Sequence, residues 1–165
     1  MKPTGRSVLY PTDFSRASAR VFDEASRLAR ASRAALLIVH VVTPDEPPLT
    51  GEGGPGTGEF VIDESMHGRA KRRLDGLVAE AHRARARASG LLLEGDPADE
   101  IVRAATSSHA DVIVMRVPRR RRAALTRLLF DSVTDRVIAR APCPVLTYHD
   151  TRQRKGSARA VLLAR

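Results

Sequence analysis

Arginine is the least evenly spread of the chemically capable side chains in this sequence. It outnumbers lysine 25 to 3. Arg116, Arg119, Arg120, Arg121 and Arg122 fall within seven residues with no acid among them. The last fifteen residues add Arg152, Arg154, Lys155, Arg159 and Arg165. Each stretch carries +5 of a net +9, so the rest of the chain sums to −1. Localised positive charge of this kind attracts phosphates or an acidic partner. Aromatics are only 4% of the chain, which leaves few stacking surfaces for single strands. Nucleic-acid binding through the loop and tail is therefore expected to be non-specific and steeply salt-dependent.

The remaining reactive types point away from catalysis. His40, His67, His82, His109 and His149 show no metal-ligand spacing, so no metal site is expected. Cys143 stands between two prolines as a small buried group would, and only a depressed thiol pKa would make it reactive. Ser132 lies in no G-x-S-x-G elbow and reads as a helix cap. Asp23-Glu24, Asp63-Glu64 and Asp99-Glu100 are chain neighbours that do not share a helix face, so solvated acids are expected there. No residue set is predicted to be catalytic.

The elements that must position these groups are legible from apolar periodicity. Residues 7–10 form a short apolar strand ended by Pro11. Thr12-Asp13-Phe14-Ser15 then supplies N-cap oxygens, Asp13 among them, for the helix that buries Val21, Ala25, Leu28 and Ala29. Residues 34–42 are apolar almost throughout, as a strand covered on both faces must be. Residues 43–58 hold four prolines and five glycines, so 43–60 is expected to be a flexible excursion within one domain. A helix over 62–88 follows, with Leu74, Leu77, Val78 and Ala81 inward, then a strand at Leu91-Leu-Leu93. Asp96-Pro97 opens the next helix, with Ile101, Ala104 and Ala105 inward. Asp111–Met115 is a fourth strand, residues 125–130 a short helical turn, Ser132-Val-Thr-Asp135 a variant capping box, and residues 145–148 a last strand.

Alternating strands and helices imply an α/β parallel sheet within a domain over 1–150, followed by a basic tail at 151–165. The longest nearly apolar run, 34–42, is nine residues, against about 20 for a membrane span. A single cysteine and the lack of an apolar leader pattern suit a cytoplasmic protein. The terminal strand is expected to be a free sheet edge, which argues for a homodimer; a further protein partner is expected but not specified.

Five segments, in order, resemble the universal stress protein family: Val8-Leu-Tyr-Pro-Thr-Asp-Phe-Ser15, Leu37-Ile-Val-His-Val-Val42, Glu94-Gly-Asp-Pro-Ala-Asp-Glu-Ile101, Ala110-Asp-Val-Ile-Val-Met115 and residues 125–146 with Ala141-Pro-Cys-Pro-Val145. The resemblance covers residues 5–149. It implies a five-stranded parallel sheet of order 3-2-1-4-5 with helices on both faces, and a crevice where the chain reverses direction between the first and fourth strands. In ATP-binding members the position of Asp13 and the backbone at Val41 hold adenine, and a G-x2-G-x9-G-[ST] stretch holds ribose and phosphates. A retained nucleotide site would thus comprise Thr12, Asp13, Val41, Met115, Arg116, Arg119, Ser132 and Val133. Family members often pair through the terminal strand.

The chain departs from that pattern after its fourth strand. No glycine occurs between Gly95 and Gly156. Counted back from Ser132 the motif glycines fall on Pro118, Arg121 and Asp131; counted forward from Met115, the first two fall on Arg116 and Arg119. Pro118 has no N–H to give a phosphate. Asp131 adds a repulsion of about 4 kcal/mol at ~4 Å for an effective dielectric of about 20. The expected function is that of a non-catalytic stress-response regulator or adaptor without cofactor, which does not bind ATP in the family's usual way. The alternatives are ATP or AMP binding with Arg116 and Arg119–Arg122 clamping phosphates, and non-specific polyanion binding.

Overall fold

In the computed structural model, residues 5–43, 64–117, 132–149 and 160–163 are described. They build β1 (Ser7–Pro11), α1 (Arg16–Ala31), β2 (Ala35–Val42), α2 (Glu64–Arg83), β3 (Arg87–Glu94), α3 (Pro97–Ser107), β4 (Val112–Val117), α4 (Val133–Arg140), β5 (Val145–His149) and β6 (Ala160–Leu163). The excursion expected at 43–60, apart from Thr43, and the helical turn expected at 125–130 lie outside the described residues.

The sheet runs β3-β2-β1-β4-β5-β6. Its first five strands are parallel in the expected order 3-2-1-4-5. Successive side chains on a strand point to opposite faces, and the core divides accordingly. Val8 and Tyr10 join Val21, Phe22 and Ala25 of α1 and Leu74 and Ala81 of α2. Leu9 joins Ile101 and Ala105 of α3 and Val137 of α4. Two helices therefore cover each face, which is why β1 and β2 are apolar without alternation.

Three helices end in one device. The N–H groups of Arg33, Arg85 and His109 return to the carbonyls of Arg30, His82 and Thr106 at 3.1, 2.8 and 3.2 Å. Those of Ala34, Ala86 and Ala110 reach Ala29, Ala81 and Ala105 at 2.8, 2.9 and 2.9 Å. This is the Schellman pattern, completed by contact between two small buried residues. Its turning residue has φ of 54, 62 and 52°, where glycine is usual. A side chain in that conformation costs roughly 1–2 kcal/mol.

Three expectations are corrected. The strand expected at 91–93 is the eight-residue β3; it flanks the sheet, so its first half is polar and carries no apolar signal. The helix expected over 62–88 stops at Arg83, because the turn at Arg85 turns the chain into β3. The terminal strand is not a free edge. β6 pairs antiparallel with β5 through Val145↔Leu163, Leu146↔Leu162, Thr147↔Val161 and Tyr148↔Ala160, so part of the expected tail supplies the missing neighbour.

Candidate functional site

The C-terminal ends of β1, β2 and β4 and the first turns of α3 and α4 enclose a cleft of about 330 Å³. It lies where strand order reverses between β1 and β4, the place at which open α/β sheets hold ligands. Thr12, Asp13, Val41, Met115, Arg116 and Val133 all line it, as do His40, Pro97, Ile101 and Thr134.

Its floor is the turn after β1. The Thr12 N–H extends the ladder to the Val39 carbonyl at 2.8 Å. Thr12 Oγ1 accepts the Phe14 N–H at 3.0 Å, and the Thr12 carbonyl accepts His40 Nδ1–H at 2.8 Å. That bond fixes His40 with its proton on Nδ1. Phe14 turns the chain at φ 56°, a strained value for a bulky residue. Several contacts hold it there: its ring lies 4.1 Å from that of His40, the Arg73 guanidinium stands 4.9 Å from its centroid, and Arg73 donates to its carbonyl at 3.3 Å.

Asp13 does not cap α1. The cap is Ser15, whose hydroxyl accepts the Ser18 N–H at 3.2 Å. Asp13 Oδ1 instead accepts the Ser15 N–H at 2.9 Å, and Oδ2 faces Arg116 Nη2 at 3.5 Å across the cleft mouth. Burial pushes the Asp13 carboxyl up, but the Ser15 and Ser18 hydrogen bonds and the Arg116 charge outweigh it and leave the pKa below the ordinary aspartate value. Asp13 is thus an anion at neutral pH with a cation opposite it.

Arg116 also fixes the far wall, since its carbonyl accepts the Thr134 hydroxyl at 3.0 Å. Ser132 does not line the cleft. It caps α4, accepting the Asp135 N–H at 3.1 Å and donating to Asp135 Oδ2 at 2.9 Å. Val133, which does line it, is 37% exposed and is the exposed large apolar residue among those described. Arg119, Arg120, Arg121 and Arg122, together with Pro118 and Asp131, lie outside the described residues.

A charged clasp closes the α3–α4 side. Arg136 donates to Asp96 Oδ2 and Oδ1 at 2.9 and 2.8 Å and to Asp99 at 3.2 Å, and Arg140 reaches Asp99 at 2.5 Å. Glu100, expected to be solvated, is 7% exposed and pairs with Arg103. It packs against Gly95, which holds φ 135°, and a Cβ there would lie 3.4 Å from Glu100 Cγ and Oε1. The Cys143 thiol is pushed up by burial and by Asp111, the opposite of an activated nucleophile.

Sequence reasoning missed His40 and Thr134. His40 reads as one polar interruption in an apolar strand, and only its place beside the strand end at Val41 could have flagged it. Thr134 was legible as part of a cap, but not as a wall.

A family model described as the universal stress protein family matches residues 5–149. A universal stress protein of Thermus aquaticus is 36% identical over 148 residues, covering 86% of this chain and 96% of the relative. One from Methanocaldococcus jannaschii is 33% identical over 141 residues, covering 86% and 80%. Among solved structures, the universal stress protein from Archaeoglobus fulgidus in complex with dAMP superposes with a TM-score of 0.62 at 25% identity, covering 89% of this chain and 98% of that one.

Proposed function

This chain belongs to the universal stress protein family, and from that premise we propose that it is a non-catalytic stress regulator whose cleft does not take ATP in the family's usual way. The observation that carries this reading is the Asp13–Arg116 ion pair across the cleft mouth. An adenine amino group approaching Asp13 meets a carboxylate already facing a guanidinium. On the phosphate side, the sequence offers Pro118 and Asp131 in place of glycines. The commitment of Ser132 to capping, the raised Cys143 thiol and the pairing of Asp96, Asp99 and Glu100 with arginines leave these groups no catalytic task.

Calorimetry with adenosine, AMP and ATP tests it. Wild type should bind ATP no more tightly than AMP. Arg116→Ala should improve adenosine binding by up to about fivefold, the range of an exposed ion pair. Micromolar ATP binding that depends on Asp13 overturns the proposal.

A second reading has its own support. The cleft survives at the switch point with about 330 Å³, the lower end of ligand-site volumes of roughly 300–1,000 Å³, and the Archaeoglobus relative was solved with dAMP. On that reading a nucleoside monophosphate enters, Arg116 swings from Asp13 to its phosphate, and Arg116→Ala weakens AMP while sparing adenosine. We also propose homodimerisation, in which a dimer built on the edge of β5 must first displace β6.

A further inference from the structure

At the opposite end of the sheet from the cleft, Arg30, Arg33, Arg85 and Arg87 surround a depression of about 420 Å³ floored by Ala29 and Ala34. We infer that this four-arginine depression is a binding site for a small multivalent oxyanion, a di- or triphosphate group in particular.

The arginines come from three places that the fold brings together. Arg30 lies in the last turn of α1, Arg33 and Arg85 occupy the turning positions after α1 and α2, and Arg87 opens β3. Two are tied down by crossed bonds. Arg30 Nη1 donates to the Ala84 carbonyl at the end of α2 at 3.1 Å, and Arg87 Nη2 donates to the Arg33 carbonyl beyond α1 at 2.8 Å. These bonds hold two guanidinium forks in place before any ligand arrives, which lowers the ordering cost of binding. Each fork has five N–H donors and uses one here.

None of the four pairs with a carboxylate among the described residues, although elsewhere arginines find Asp13, Glu24, Asp96, Asp99 and Glu100. Helix C-termini do favour cations, but one arginine per helix end meets that need. Arg33 and Arg85 moreover hold positions where the backbone prefers glycine. Four like charges around one concavity are relieved by an anion that bridges them. The depression is shallow and lined by alanine and arginine with no aromatic side chain, so bases find no ring to stack on and a compact anion is favoured over a nucleic-acid strand.

The test uses the full chain, with tripolyphosphate as probe, calorimetry at two salt concentrations and a melting curve. Arg33→Gly/Arg85→Gly is the decisive variant, because glycine suits both turns and the protein should melt higher without ligand. Saturable binding by wild type that weakens with salt and falls about tenfold or more in this variant is the expected result. Asp13→Ala and Arg116→Ala should leave it unchanged, so this site stands or falls apart from the cleft. Equal tripolyphosphate affinity in wild type and the glycine variant overturns the inference, and so does loss of binding in Arg119→Ala/Arg121→Ala alone. A single-stranded oligonucleotide that binds more tightly than tripolyphosphate, and is lost in the glycine variant, overturns it in favour of a nucleic-acid surface.

Discussion

Gly90 and Gly95 are fixed by different forces. A Cβ on Gly90 would meet Leu74 Cγ at 2.8 Å and Val78 Cγ2 at 3.2 Å, so α2 lies against bare backbone there. Gly90→Ala should destabilise by about 1–3 kcal/mol, the usual cost of overpacking, and denaturant melts will show it. An unchanged midpoint would mean that α2 can step aside. Gly95 instead needs its φ of 135°, and Gly95→Ala should cost more than about 1 kcal/mol. Individual residues were read from sequence with mixed success. Asp13 and Arg116 stood out by type and position, yet their mutual approach did not, because 103 residues separate them. Glu100 departs from expectation for a similar reason: its burial in the first turn of α3 is set by tertiary packing, which its chain neighbours do not reveal.

Elements were more legible than residues, since each carries its own periodicity and caps. Asp96 and Ser132 cap α3 and α4 as their sequences imply. The link between those helices was invisible, because charge pairing across elements leaves no local pattern. Arg136 holds the Asp96 carboxyl below the usual aspartate range, aided by the Asp99 N–H. A carboxylate with a lowered folded pKa stabilises the protein above its unfolded pKa, and that stability fades as pH falls through the folded value. Asp96 is largely exposed, so the ion pair itself is worth under about 1 kcal/mol. Arg136→Ala should therefore lower stability slightly at neutral pH, and the deficit relative to wild type should vanish in acid. A deficit independent of pH would assign Arg136 a packing role instead. Asp96→Ala also removes the cap, which adds roughly 0.5–2 kcal/mol.

The whole molecule follows from two facts the sequence does contain, the nearly continuous apolarity of β1 and β2 and the regular alternation of strand with helix. What it conceals is the sixth strand. Residues 160–163 are a short apolar island in a basic tail, and nothing local says that they run antiparallel beside β5. Val161→Pro/Leu162→Pro, which removes a ladder donor whichever of the two alternating N–H groups faces β5, should raise self-association of the full chain in light scattering, because it returns the flank of β5 to solvent. Equal masses for variant and wild type would show that β5 is not a pairing surface. β6 touches the sheet along one flank and across four residue pairs, so it can peel away without breaking a bond between any other two strands. Its release is the cheapest opening the sheet permits. Deuterium should enter the β5–β6 seam as one early block, while the amides joining β1 to β2 and β4 wait for global unfolding.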